Sequence, residues 1–177
     1  MIAAKPRYAR IEQLANSVLI EAGVTGPPVP VEAVVKAHGI AVHLQELGDV
    51  SGVVVRKGGA VAIGANKAEA PTRRRFTIAH EFAHALLHRG EEVHFDRDFR
   101  VNLRSGASAL GMNVEEIEAN FFAACLLMPR RFLEADPAAA MIDVERDPQA
   151  VAKLAKRYGV SSHAMSIRLG NLAVGGG

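Results

Sequence analysis

The sequence has one cysteine, no tryptophan and almost equal numbers of positive and negative residues, and each of these features argues against a class of protein. The single cysteine, Cys125, allows no intramolecular disulfide, so a disulfide-stapled secreted fold is excluded and a reducing cytoplasm is expected. Tryptophan is absent and aromatic residues make up only 5% of the chain, which indicates an aliphatic core. Lys and Arg number 21 against 19 Asp and Glu, so charge does not indicate nucleic acid as the main ligand.

Long apolar runs are also missing. No stretch approaches the roughly 18 consecutive apolar residues of a membrane span. Lys5, Pro6 and Arg7 lie where a signal peptide would have its apolar segment. We therefore expect a soluble cytoplasmic protein that does not bind membranes. Because the chain has 177 residues and 49% hydrophobic content, one core in one domain is the expectation.

The apolar patterns predict an α+β fold, mostly helical, with a small antiparallel sheet packed by a long helix. Gly58-Gly59 indicates the turn of a hairpin. The segment from Glu91 to Gly111 has no clear period and is expected to be a loop. Helices are predicted over residues 8–22, 31–38, 73–88, 113–128, 149–158 and 162–172, and strands over residues 40–44, 53–55 and 60–63. The last two helices resemble a helix-turn-helix.

His80-Glu81-Phe82-Ala83-His84 is the motif that carries chemistry. Residues four apart on a helix share a face, about 6 Å apart along the axis, so both imidazoles can bind one ion. Zinc suits two imidazoles and a carboxylate with one position left for water, and Glu81 can take a proton from that water. Chance could produce the pentapeptide, but two histidines and a glutamate in an apolar helix are costly to bury without a partner. The motif therefore predicts one zinc per chain and peptide hydrolysis.

The third ligand must come from another part of the chain. A third histidine in an extended motif would need Gly at position 87 and His at position 90, whereas the chain has Leu87 and Gly90. His88 lies about 12 Å along the helix axis from His80, too far to share its ion, and is interpreted as a capping or packing residue.

Three glutamates at the start of the second long helix compete for this role. Glu116 has the spacing of a capping box with Asn113, and Glu115 in the first turn suits the helix dipole. Glu118 lies among residues that would face the core, where a carboxylate needs a partner. We therefore favour Glu118 as the third ligand.

The residues around these positions resemble the ImmA/IrrE family of metallopeptidases. The resemblance rests on Arg75 to His88, Glu118 to Ala124 and Leu126 to Pro129, and in weaker form covers most of the chain. It implies that His80, His84 and Glu118 bind the metal and that Glu81 is the catalytic glutamate. Relatives often have Gly where this chain has Ala83, which is also small. The expected organisation is a zinc metallopeptidase domain over residues 1–145, the helical pair packed on it over residues 146–173, and a flexible tail over residues 174–177.

The resemblance also implies a narrower function than general proteolysis. Characterised relatives inactivate a partner transcriptional repressor, often by cutting it, in stress responses or mobile-element control. We therefore expect a zinc endopeptidase with a helix-turn-helix repressor as its substrate. The alternative is a non-catalytic anti-repressor or antitoxin-like binding module. The presence of Glu81 favours the enzyme, because a binding module needs no base beside the metal.

One expectation concerns a strand near the motif. The strand of Ala60, Val61, Ala62 and Ile63 is expected to lie beside the metal and pair with extended substrate, with Asn66 near the rim; the alternative is a purely structural sheet.

The C-terminal helical pair has a thin basic footprint, since Arg168 is the only fixed cation of its second helix. We therefore expect packing or partner docking, and no DNA binding by this chain alone. No residue is assigned to oxyanion stabilisation, for which His94, Tyr158 and the arginines are candidates.

Overall fold

The computed structural model describes residues 6–88, 93–96 and 114–173, which form eight helices and a four-stranded sheet. The helices are α1 Tyr8–Glu21, α2 Val31–Ala37, α3 Pro71–Leu87, α4 Val114–Leu127, α5 Arg130–Glu134, α6 Pro137–Ala140, α7 Pro148–Tyr158 and α8 Ser162–Ala173. The strands are β1 Ala41–Gln45, β2 Gly52–Lys57, β3 Ala60–Asn66 and β4 Val93–Asp96. Within these ranges, no helix has the length and apolar character that crossing a bilayer requires.

The sheet confirms the α+β class but is mixed, not antiparallel throughout. Its strand order is β1-β3-β2-β4. Gly58 and Gly59 have positive φ angles of 58° and 83° in the turn that joins β2 and β3 into an antiparallel hairpin. β3 lies between β2 and β1 in the sheet, and it pairs with β1 in parallel. β4 pairs antiparallel with the other edge of β2.

Part of the predicted loop is in fact a strand. Val93–Asp96 forms β4, and four residues with a polar His94 and Asp96 give too short a pattern to be found from the sequence. The rest of that predicted loop, the Asn113 cap and the predicted flexible tail lie outside the described residues.

The core lies between the sheet, α3 and α4. Phe82 of α3 and Phe122 of α4 are fully buried and meet edge to face, with ring centroids 5.8 Å apart. Cys125 is buried among the same side chains, and this burial raises the pKa of its thiol to about 12. At neutral pH the thiol is therefore protonated and inert, in agreement with the sequence interpretation.

The C-terminal pair, α7 and α8, packs onto this core. Gly159 ends α7 with a φ of 67°, and the Ser161 hydroxyl accepts a hydrogen bond from the Ala164 amide at 3.1 Å to cap α8. Arg75 of α3 donates to the carbonyl of Gly159 at 3.0 Å and to that of Val29 at 2.7 Å. The turn between the two helices is therefore held by the helix that carries the HExxH motif.

Candidate metal centre

Three donors from α3 and α4 converge in the interior. The side chains of His80 and His84 are 1% and 2% exposed and point their Nε2 atoms towards each other at 3.1 Å. The carboxylate of Glu116 on α4 lies 3.3 Å from Nε2 of His80 and 3.2 Å from Nε2 of His84. The donor atoms of the three residues all lie within 4.8 Å of one another. The structure thus forms a cluster that could hold a metal ion.

The spacing of these donors suits a small tetrahedral cation. Zinc bonds of about 2.0–2.2 Å in tetrahedral geometry place neighbouring donors about 3.3–3.6 Å apart. The observed separations of 3.1, 3.2 and 3.3 Å are close to that value. Two imidazoles and one carboxylate are also the donor set of catalytic zinc sites.

The structure places Glu118, the sequence choice for third ligand, in a different cluster. Its carboxylate accepts hydrogen bonds from the Arg7 amide at 2.9 Å and from Nε and Nη2 of Arg7 at 2.9 and 2.6 Å. It also lies 3.2 Å from Nε2 of His88. Two residues along a helix correspond to a rotation of about 200°, so Glu116 and Glu118 leave α4 in different directions. Among the described residues, the structure therefore brings Glu116, and not the predicted Glu118, next to the two histidines.

The spacing of Glu116 from Asn113 suits a capping box, but a second spacing on α4 relates Glu116 to the histidines. Asn120 lies one turn after Glu116 on the same face of α4, and its Oδ1 is 3.1 Å from Nδ1 of His80. Glu116 and Asn120 on α4 therefore face His84 and His80 on α3 as a matched pair of i, i+4 positions. The other ring nitrogen of His80 thus has a partner in Asn120, an outer contact of the kind that metal-binding histidines usually make.

The charges around Glu116 keep its carboxylate ionised. Burial raises the pKa of this carboxyl, but hydrogen bonds and charge interactions with His80 and His84 outweigh that effect and hold it below its usual range. For Glu118, the hydrogen bonds from Arg7 are the largest effect and lower the pKa to about 2. Burial lowers the pKa of His88 and favours its neutral form.

Glu81, the predicted base, is fully buried against β2. A Cβ atom added to Gly52 would lie 2.6 Å from Oε1 of Glu81, so only glycine leaves room for the carboxylate there. Glu81 follows His80 on α3, and its carboxylate lies against β2 at Gly52. The pattern HExxH predicts the residue, but the requirement for glycine on the facing strand has no local sequence pattern.

The predicted substrate strand is not available for strand addition along its length. Ala62 and Ile63 pair with β1 on one side and with β2 on the other, so the backbone there is already occupied. Asn66 is 5% exposed and donates to the carbonyls of Gly48 and Val50, which holds the preceding loop and keeps this side chain away from any rim. The structure thus places Ala62 and Ile63 inside the sheet, where they offer no free edge to a substrate, whereas Ala60 and Val61 precede the part of β3 that pairs with β1.

Among the described strands, β4 is the edge strand beside the metal cluster. Its His94 lies with Nε2 3.7 Å from Oε1 of Glu116 and packs its ring on His84 with centroids 4.2 Å apart. The His94 side chain is 32% exposed, although its Nε2 atom is buried. Tyr158, a second oxyanion candidate, is instead buried in the core at the end of α7.

A cavity of about 660 Å³ opens between α3, α4 and α8. Its wall is mostly apolar and includes Phe76, Ile117, Phe121, Ala124 and Ile167. Phe76 and Asn120 also lie one helical turn from His80 and Glu116 of the metal cluster, respectively. The cavity therefore begins about 6 Å along each helix from the metal cluster.

A helix bearing HExxH beneath a small sheet, faced by a carboxylate of a second helix, is the arrangement of a metal-dependent peptidase. A model of the peptidase family M78, described as the IrrE N-terminal-like domain, matches residues 35–170, and the chain belongs to that family. The resemblance to the ImmA/IrrE metallopeptidases is thereby confirmed. A comparison with curated proteins finds no match.

Proposed function

We infer that the chain is a zinc-dependent endopeptidase, with His80, His84 and Glu116 as the ligands and Glu81 as the base. The observation that carries this proposal is the convergence of three donors at separations of 3.1–3.3 Å beside a buried glutamate. Bound zinc supplies an activated water and polarises the peptide carbonyl. Membership of a peptidase family supports the reaction class.

The protein's own residues handle the proton and the charge. The Glu81 carboxylate takes a proton from the attacking water and returns it to the leaving amine. Asn120 holds the ring of His80 through Nδ1, and Glu116 offsets part of the cation's charge. His94 is the candidate for stabilising the carbonyl oxygen, because it reaches the cluster from an edge strand and is partly exposed.

The substrate backbone is proposed to pair with the outer edge of β4. β1 and β4 are the outer strands of the described sheet, and β4 is the one that carries a side chain next to Glu116. An extended peptide added there would pass the metal cluster, and those of its backbone groups that face β4 could pair with it.

The proposed substrate is a helix-turn-helix transcriptional repressor in the cytoplasm, cut at one site in stress response or mobile-element control. The family resemblance supports this choice. The alternative remains a binding module that inactivates the repressor without cutting it.

Glu81→Gln separates these alternatives. The test incubates the purified zinc-loaded protein with the helix-turn-helix repressor encoded nearest to it and follows cleavage by mass spectrometry. We expect a single cut by the wild type and none by Glu81→Gln, with zinc content and melting temperature unchanged. Equal loss of repressor activity with both proteins and no new fragments would instead establish the binding module.

A further inference from the structure

A chain of four side chains leads away from the metal cluster on its far side. Nδ1 of His84 lies 3.1 Å from Nδ1 of His88, and Nε2 of His88 lies 3.2 Å from Oε2 of Glu118. Arg7 completes the chain through its contacts with both oxygens of Glu118. His88 and Glu118 are 5% and 2% exposed, so these contacts are shielded from water.

The positions of the protons along this chain follow from the geometry. A histidine that presents Nε2 to a cation carries its proton on Nδ1, so His84 donates to Nδ1 of His88. His88 must then carry its own proton on Nε2, from which it donates to Glu118. Each ring nitrogen and carboxylate oxygen is then either a donor or an acceptor without conflict. These hydrogen bonds favour the form of His84 that is protonated on Nδ1 and leaves Nε2 free to bind the metal.

The backbone of this segment is fixed by a separate contact. Nη2 of Arg56 on β2 donates to the carbonyl of His84 at 2.7 Å and to that of His88 at 3.1 Å. Two carbonyls at the end of α3 therefore share one donor, which links the backbone of His84 to that of His88. Rigid support of this kind limits the rotation of both rings.

We propose that His88 is a positioning residue that, backed by Glu118 and Arg7, holds His84 in the orientation and proton form that bind the metal. The proposal rests on His84 being a ligand, as in the proposed function, but it does not depend on proteolysis. It also gives a role to His88, which is too far along α3 from His80 to share its ion, and to Glu118, which lies outside the metal cluster.

The test compares His88→Leu with His88→Gln in the full chain. Leucine fills the space but cannot hydrogen-bond, whereas glutamine can accept from His84 and donate to Glu118. Zinc affinity is measured by competition with a chromophoric chelator, and His43→Leu on the exposed part of β1 is the control. We expect a loss of about 10- to 100-fold for His88→Leu, recovery to within a few-fold for His88→Gln, and wild-type affinity for His43→Leu.

A second readout requires neither metal nor activity. Nitrogen-15 NMR of the metal-free protein reports which ring nitrogen of His84 carries the proton; we expect Nδ1 in the wild type and in His88→Gln, and a mixture in His88→Leu. Wild-type zinc affinity in a folded His88→Leu variant, equal loss in both His88 variants, or an Nε2 proton on His84 in the wild type would overturn the proposal. If Glu81→Gln still cuts the repressor, the proposed role of Glu81 fails, whereas the zinc affinities and the NMR spectra still test the role of His88.

Discussion

Glu116 and Glu118 show how a difference of two positions on one helix changes what a carboxylate does. Glu116 faces two imidazole nitrogens, whereas the charge of Glu118 is matched by Arg7. Glu116→Gln removes a negatively charged donor from the metal cluster, so we expect a loss of zinc affinity well above the roughly 100-fold limit of an outer contact. Glu118→Gln should stay within about 10- to 100-fold. Isothermal titration with zinc measures both, and the reverse ranking would restore Glu118 as the ligand.

The sequence could predict His80, Glu81 and His84 because their spacing is local. It could also predict that Glu118 needs a partner, since a buried carboxylate is costly to leave alone. It could not predict that the partner is Arg7, which is 111 residues away and meets Glu118 only after α1 packs on α4. Long-range ion pairs leave no periodic pattern, so the choice among the three glutamates needed the fold.

Gly52 on β2 leaves room for the side chain of Glu81, the proposed base. Because a Cβ there would approach Oε1 of Glu81 to 2.6 Å, Gly52→Ala should push the carboxylate out of place. We expect cleavage to fall at least about tenfold, with zinc retained and stability lowered by about 1–3 kcal/mol. Gly26→Ala is the matched control, since an added Cβ meets nothing within 4 Å there. Full cleavage by Gly52→Ala would show that the base does not need this position.

Among the elements, the long helices were predictable and the sheet only in part. α3 and α4 carry many apolar residues at helical spacing, so the sequence placed them to within a few residues. The parallel pairing of β1 with β3 depends on which strand lies next to which, and periodicity says nothing about that. β4 is too short to have a pattern of its own.

Arg75 joins three elements, and its removal should loosen the C-terminal pair. Arg75→Ala leaves the carbonyls of Val29 and Gly159 without their donor in a partly buried place. We expect a loss of about 1–3 kcal/mol. For a chain of this size each kcal/mol lowers the melting temperature by about 2–4 °C. Thermal unfolding followed by circular dichroism measures the change. The control is Arg146→Ala, because the Arg146 side chain is 88% exposed and its removal should leave the melting temperature unchanged. An unchanged melting temperature for Arg75→Ala would show that this arginine does not hold the C-terminal pair.

At the scale of the whole molecule, the cavity between α3, α4 and α8 provides space for apolar side chains next to the proposed cleavage site. Ala124 lines that space, so Ala124→Trp should fill part of it. If the cavity holds a side chain of the substrate, KM for the repressor should rise at least about tenfold while zinc affinity is unchanged. Ala152→Trp on the exposed face of α7 is the control. An unchanged KM for Ala124→Trp would show that the substrate does not enter the cavity.

The position of Arg168 in the whole fold bears on whether the C-terminal pair, whose turn resembles a helix-turn-helix, reads DNA. Arg168 would be the fixed cation of a recognition helix, but its side chain is 2% exposed and donates to the carbonyl of Met128 at 3.1 Å and to Glu12 at 3.0 Å. An arginine that joins α8 to α1 and to the end of α4 cannot also contact phosphate.

We therefore expect no salt-dependent, sequence-selective shift of duplex DNA by the purified protein. Arg168→Ala should instead lower the melting temperature, because it leaves Glu12 and a buried carbonyl without their partner. His163→Ala removes an exposed side chain in the first turn of α8, so it should leave the melting temperature unchanged and would affect only DNA binding. Selective DNA binding that is lost in both variants, with unchanged melting temperatures, would show that α8 reads bases after all.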